Sequence, residues 1–191
     1  MTDIKKNTPE ICAITAVGPK NVIGLNGTMP WHSRQDFYHF IKLTTGYPVI
    51  FGKNTFFNLP KYPLPKRLNI VCSSAYKNEN LGDFVCVPSL EAAFEYCKGF
   101  DKLFICGGAG LYKYALDKDY IDTMYFTRLT EPTLSAQIIK NPTEFICFPI
   151  DTKVLFSSPK WSCERIFYPP DVLPLEQSDI VVEFFKFTRI R

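Results

Sequence analysis

An α/β architecture on a mostly parallel central sheet is expected for this 191-residue chain. Short apolar runs bounded by Gly, Pro, Asn or Ser alternate with helix-like stretches over the first two thirds, the pattern of buried strands joined by crossover helices. The last third changes character, to long aromatic-rich runs without a strong helical stretch between them. With 46% apolar and 21% charged residues, and no repeat, low-complexity tract or linker, one domain over residues 1–191 is expected. Folding at this length buries roughly 70% of the accessible surface, enough for a sizeable core.

The elements follow in order. Residues 11–17 form a continuous apolar strand, and residues 33–44 an amphipathic helix. Strand 47–52 runs into helix 53–59, and strands 67–73 and 84–87 follow. Ser89 is a natural N-cap for helix 90–98. Strand 102–106 leads through glycines into helix 110–116. Runs 123–129, 162–168 and 180–188 complete eight strands at one side of the sheet, the final two as an antiparallel pair, and the Pro-containing segments 131–142 and 169–177 read as loops.

Composition narrows the function classes. Lysine and arginine total 22 against 19 acids, a net charge of +3, too small to mark a nucleic-acid or anionic-membrane binder. The seven cysteines include no C-x-x-C pair and sit mostly in apolar runs, so buried free thiols are expected rather than zinc or disulfides. No stretch approaches a membrane span and the first ten residues lack the apolar core of a signal peptide, so the expectation is a soluble cytoplasmic protein. His32 and His39 lack metal-ligand company and read as surface or loop residues, and no metal site is expected.

Three stretches can carry chemistry. Val22-Ile23-Gly24-Leu25-Asn26-Gly27-Thr28-Met29-Pro30-Trp31 places flexible backbone after a buried strand, where open α/β sheets bind ligands. Asp36 then heads a helical stripe with Phe37, Phe40 and Ile41. A carboxylate on an apolar stripe is either turned outward to meet the helix dipole or desolvated against a pocket, which raises its pKa. The second stretch, Cys106-Gly107-Gly108-Ala109-Gly110-Leu111-Tyr112, brings a strand through glycines to a helix N-terminus that suits phosphate, or is only a tight turn. The third joins Gly52-Lys53-Asn54-Thr55 with Ser73 and Ser74, small or basic residues at two strand ends. Arg67 either grips a carboxylate bidentately or is a solvated arginine beside a turn.

Taken in order, these residues resemble the dihydrofolate reductase family from Ile11 to Arg189. The Ile-Gly-x-x-Gly-x-Met-Pro-Trp loop followed by an acid is matched by Ile23 to Trp31 and Asp36. Three further stretches keep their order, around Gly52-Lys53-Asn54-Thr55, Leu64-Pro65-Lys66-Arg67 and Gly107-Gly108, as does Thr127-Arg128 in a late strand.

The resemblance implies an eight-stranded mixed sheet with about four helices, and hydride transfer from NADPH to C6 of dihydrofolate with protonation at N5. It implies that Asp36 holds the pterin's 2-amino and N3 edge with Thr127 bonded to it, and that Trp31 anchors a water. Ile14, Thr15, Phe37, Phe40, Leu59, Leu64 and Cys106 would line the pterin and benzoyl pocket, and Arg67 would hold the glutamate α-carboxylate. Ala16, Ile23, Gly24, Lys53, Asn54, Thr55, Ser73, Ser74, Gly107, Gly108, Ala109, Gly110, Leu111 and Tyr112 would surround NADPH, with the Gly107-Gly108 bond cis. The implied partners are dihydrofolate and antifolates, on a monomer without a thymidylate synthase portion.

The sequence departs from the family pattern in three respects, one being that Phe148-Pro149 is preceded by Phe145-Ile146-Cys147 where an Asp-Thr pair is common. Pro88 and Asn54 stand where basic residues are common, leaving Lys53 as the main cation of its subsite, and Cys106 replaces a branched apolar residue. A pyrimidine reductase of riboflavin synthesis shares the fold and is disfavoured by Met29-Pro30-Trp31 with Asp36. A silent nucleotide-binding scaffold is disfavoured because it has no use for a buried unpaired carboxylate.

Overall fold

The computed structural model describes residues 8–140, 142–169, 171–176 and 179–191. Most of the N-terminal stretch read for a signal peptide, together with Pro170 and Gln177 of the 169–177 segment, lies outside the described residues. Among those described, no helix is long and apolar enough to cross a membrane.

The strands are β1 (Glu10–Val17), β2 (Val22–Leu25), β3 (Pro48–Gly52), β4 (Leu68–Cys72), β5 (Glu79–Asn80), β6 (Val85–Val87), β7 (Lys102–Ile105), β8 (Thr123–Thr130), β9 (Phe145–Cys147), β10 (Trp161–Ile166) and β11 (Val181–Arg189). The helices are α1 (Arg34–Thr44), α2 (Lys53–Phe57), α3 (Leu90–Tyr96), α4 (Ala109–Asp117), α5 (Pro132–Lys140) and α6 (Thr152–Ser157). The main sheet has the order β10-β11-β8-β1-β7-β3-β4-β6-β5. Its six inner strands run parallel, and the expected antiparallel pair is β10 with β11. The chain steps outward from β1 through β3, β4 and β6, then returns to insert β7 between β1 and β3.

The inner strands are continuous apolar runs because both faces are covered. Side-chain alternation divides them. Ala13, Val17, Ile50, Ile70, Leu103, Ile105 and Phe126 pack with Leu90, Ala93, Tyr112 and Leu155 of α3, α4 and α6. Cys12, Ile14, Val49, Phe51, Val71, Phe104 and Tyr125 pack with Phe40 and Leu43 of α1 and Phe56 of α2.

Several expectations are corrected. Among the described residues the main sheet has nine strands, because the two-residue β5 pairs with β6, and β2 and β9 form a separate two-stranded sheet. Among the described residues there are six α-helices rather than about four. Segment 131–142 contains α5, since Pro132 takes the first helical position, where its missing N–H costs nothing, and Glu131 accepts the Leu134 N–H. α6 is a short turn capped by Asp151. His39 is fully buried rather than at the surface, packed on Phe184 at 4.4 Å with its Nδ1 2.6 Å from the Tyr168 hydroxyl. Five cysteines are buried or half-buried as expected, but Cys147 and Cys163 are exposed.

Candidate active site

Val17, Gly52, Cys72, Val87 and Ile105 close the parallel strands along one edge of the sheet. β7 lies between β1 and β3, so the chain reverses its direction of travel across the sheet there. In open α/β sheets this arrangement leaves a crevice beyond the strand ends.

Asp36 reaches that edge from the first turn of α1. Ser33 caps the helix, its Oγ accepting the Asp36 N–H at 3.1 Å. Thr127 of β8 stands in register with Ala16 of β1, and its hydroxyl acts on the Asp36 carboxyl. Burial pushes that carboxyl up to about 6, the Thr127 hydroxyl opposes the rise, and the negative charge of Glu176 adds to it. No cation pairs with Asp36 among the described residues, so it is an acid held near neutral pH by desolvation. Trp31 is buried among Val22, Leu129 and Leu134, and its Nε1 has no partner among the described residues.

Of the stripe Phe37, Phe40 and Ile41, only Phe40 packs against the core. Phe37 is 59% exposed and Phe40 half-buried, so α1 turns an apolar face to the crevice while His39 and Thr44 supply its buried side. Ile14 is buried, and Phe40, Leu59, Leu64 and Cys106 pack at the margin of its cluster. Arg67 lies over the Phe40 ring at 5.7 Å. Its Nε donates to Thr44 Oγ1 at 2.9 Å and its Nη1 to the Pro65 carbonyl at 2.7 Å, while Nη2 is buried without a partner among the described residues. No carboxylate among the described residues pairs with this guanidinium. Cys106 sits close enough for the Arg67 charge to act on its thiol, although burial dominates and pushes the thiol far up.

The glycine turn lies across the same edge. The Gly107-Gly108 peptide is cis, and Gly52 N–H donates to the Gly107 carbonyl at 2.6 Å. A Cβ on Gly108 would stand 2.9 Å from Thr55 Oγ1, so a side chain there would push the Thr55 hydroxyl aside. α4 begins here with neither a side-chain cap nor an acid in its first turn, which leaves its backbone N–H groups open to an anion. Tyr112 is buried, its hydroxyl donating to the Ile14 carbonyl at 2.6 Å. Gly52 is level with Cys72, which places Lys53 beside Ser73, and Ser73 N–H bonds Val87 O at 2.9 Å. Lys53 has its Nζ 5.4 Å from the Tyr76 ring and pairs with no carboxylate among the described residues. Asn54, Ser74 and Gly110 are exposed, and Ala109 and Leu111 half-buried, along this edge. Ile23 packs against the cluster holding Val17 and Tyr112, and Gly24 is buried in β2 opposite Ile146.

The sequence profile of dihydrofolate reductase matches residues 10–144. This chain belongs to the dihydrofolate reductase family. It is 37% identical to the dihydrofolate reductase of Bacillus subtilis over 119 residues, covering 62% of this chain and 68% of the relative. It is 30% identical to the Candida albicans dihydrofolate reductase over 149 residues, covering 73% and 76%. A solved dihydrofolate reductase from Enterococcus faecalis, complexed with NADP(H) and RAB-propyl, superposes with a TM-score of 0.70 at 20% identity, over 95% of this chain and 97% of that one, which supports the fold.

Two features of this dihydrofolate reductase-family chain went unread in its sequence. Asn26 and Gly27, at φ +50° and +84°, close a two-residue turn in which Leu25 and Thr28 exchange both backbone hydrogen bonds. The Asn-Gly pair is a strong local signal for such a turn. The turn is seated against Asn58, whose Nδ2 lies 2.4 Å from where a Gly27 Cβ would be. Glu176 sits against the N-terminus of α1 more than a hundred residues from its partners, and nothing local marks it.

Proposed function

We propose that the chain reduces 7,8-dihydrofolate at C6, with protonation at N5, using NADPH. The observation that carries this reading is the presence of two unmatched groups along one face of α1: a desolvated, cation-free Asp36 beside Thr127 and, over the Phe40 ring one turn on, an Arg67 guanidinium whose buried Nη2 has no partner among the described residues. A pterin edge offers paired N–H donors to a carboxylate, and a glutamate tail offers the carboxylate that Arg67 lacks.

The cofactor edge fits NADPH on this structure. The bare N-terminus of α4 and the Gly107-Gly108 turn, where a side chain at Gly108 would press on Thr55 Oγ1, suit a pyrophosphate, and Lys53 with Ser73 and Ser74 suits a 2′-phosphate. NADPH, when bound, supplies the hydride. Asp36 orients the pterin and, as an anion on its 2-amino and N3 edge, pushes electron density toward N5, Trp31 Nε1 holds a water, and that water delivers the proton to N5 because the Asp36 grip lies on the far edge of the ring. Phe37, Phe40, Leu59 and Leu64 exclude bulk water from the reacting atoms. Cys106 lies near the pterin wall and widens it slightly.

The same reading takes residues 1–191 as one domain acting as a cytoplasmic monomer on small molecules, with antifolates as competitors for the pterin site. Dihydrofolate-dependent NADPH consumption by the purified chain tests the activity, and inactivity toward dihydrofolate with turnover of a riboflavin-pathway pyrimidine would assign it elsewhere.

Lys53→Ala should raise the KM for NADPH about two- to five-fold, the scale of one exposed ion pair. The effect should be larger at low salt, where the lost attraction is least screened, and the KM for NADH should stay the same. Equal changes for both cofactors would mean that Lys53 does not read the phosphate.

A further inference from the structure

The segment before β11 is fastened to α1 at three places. The Tyr168 hydroxyl meets His39 Nδ1 at 2.6 Å, and Gln35 Nε2 donates to the Pro174 carbonyl at 3.2 Å. The third place is Glu176. Its Oε1 accepts the Ser33 hydroxyl at 2.5 Å and the Gln35 N–H at 2.9 Å, and its Oε2 accepts the Arg34 N–H at 3.1 Å.

This is more than an ordinary helix cap. The first N–H groups of a helix have no partners within it. Ser33 and Glu176 divide them: Glu176 takes Arg34 and Gln35, and Ser33 Oγ takes Asp36. Because the Ser33 proton is committed to Glu176, its lone pair faces the Asp36 N–H. The chain Glu176 to Ser33 to Asp36 therefore fixes the turn that carries the acid. It also holds a full negative charge at the helix end that carries Asp36.

We infer that Glu176 is a positioning residue for the reduction proposed above: its carboxylate clamps the first turn of α1 and keeps a negative charge in range of Asp36. The inference rests on that reading of Asp36. The titratable groups that act on Asp36 from other elements are Glu176 and the Tyr112 phenol of α4, while Thr127 of β8 contributes a neutral hydroxyl. Tyr112 is itself buried and pushed far up, so it stays neutral. Glu176 is thus the one anion among them, and its charge favours the protonated state of the site.

Glu176→Gln tests this, because the amide oxygen can still accept from Ser33 and Gln35 while the charge is gone. Carbon-13 NMR of labelled aspartate, with Asp36→Asn as the assignment, reads the Asp36 titration in the full chain without needing turnover. The midpoint in Glu176→Gln should lie lower by about half a pH unit. Turnover on the alkaline side should fall about threefold to match, and the KM for NADPH should not change. Glu176→Asp, which keeps the charge, should restore most of the shift. An Asp36 midpoint in Glu176→Gln equal to that of the wild-type chain would overturn the inference, as would equal shifts in Glu176→Gln and Glu176→Asp. A shifted midpoint in a chain that does not turn over dihydrofolate would support the clamp and count against the reduction.

Discussion

Asp36→Asn is expected to lower turnover of dihydrofolate at neutral pH by about 10² or more, the low end for a positioned acid-base group. The variant keeps the shape and most hydrogen-bonding atoms of the side chain and removes only the charge that polarises the pterin. The wild-type rate should fall as pH rises through an apparent ionisation of the whole site, to which an Asp36 carboxyl near 6 contributes. Acidification, which protonates the substrate in solution, should recover part of the variant's loss. A pH series of kcat for both proteins checks this, and near-normal turnover of the variant at neutral pH would remove Asp36 from the mechanism.

The same substitution should stabilise the fold. The Asp36 carboxyl is raised from 3.8 to about 6, so the folded chain binds this proton more tightly than the unfolded chain does. Stability from this group is therefore greatest below pH 3.8 and falls as pH rises to about 6. At neutral pH the ionised carboxylate costs roughly 1–3 kcal/mol, which Asp36→Asn removes. Thermal unfolding should show a higher Tm for the variant at neutral pH and no difference at strongly acidic pH. A lower Tm at neutral pH would mean that the carboxylate serves the helix end rather than the pocket.

Arg67→Leu is expected to weaken folate binding by roughly 1.5–3 kcal/mol, about 10- to 150-fold, the scale of charged hydrogen bonds. The guanidinium already spends Nε on Thr44 and Nη1 on Pro65, so its buried Nη2 is the free donor for an incoming carboxylate. NADPH affinity should change little, and a folate fragment lacking the glutamate should bind both proteins alike. Equal losses for NADPH and folate in titrations would show that Arg67 only braces Thr44 and Pro65.

How much was legible in the sequence differs by element, for physical reasons. β1, β3, β4 and β7 are buried on both faces, so each is a continuous apolar run whose ends fall within one residue of the expected limits. α5 was missed because Pro132 reads as a breaker unless its helical position is known. β2 and β9 are short and stabilised by each other across a long separation, which no local pattern records. Asp36 was visible as an anomaly on an apolar stripe, yet the outward and pocket readings separate only once Thr127 and the exposed Phe37 are seen around it. His39 was misread because a histidine's burial depends on what covers it, here Phe184 and Tyr168 from the end of the chain. For the same reason Glu176 was invisible: its role lies wholly in contacts with Ser33, Arg34 and Gln35.

Isotope transfer tests the central claim most directly. The purified chain is given dihydrofolate and NADPH carrying deuterium at the transferable C4 position of nicotinamide, and the pterin product is examined by mass spectrometry and NMR. The account predicts tetrahydrofolate bearing one deuterium at C6, with the N5 hydrogen drawn from solvent. Consumption of labelled NADPH without deuterium at C6, or no conversion of dihydrofolate by the folded protein, would contradict it.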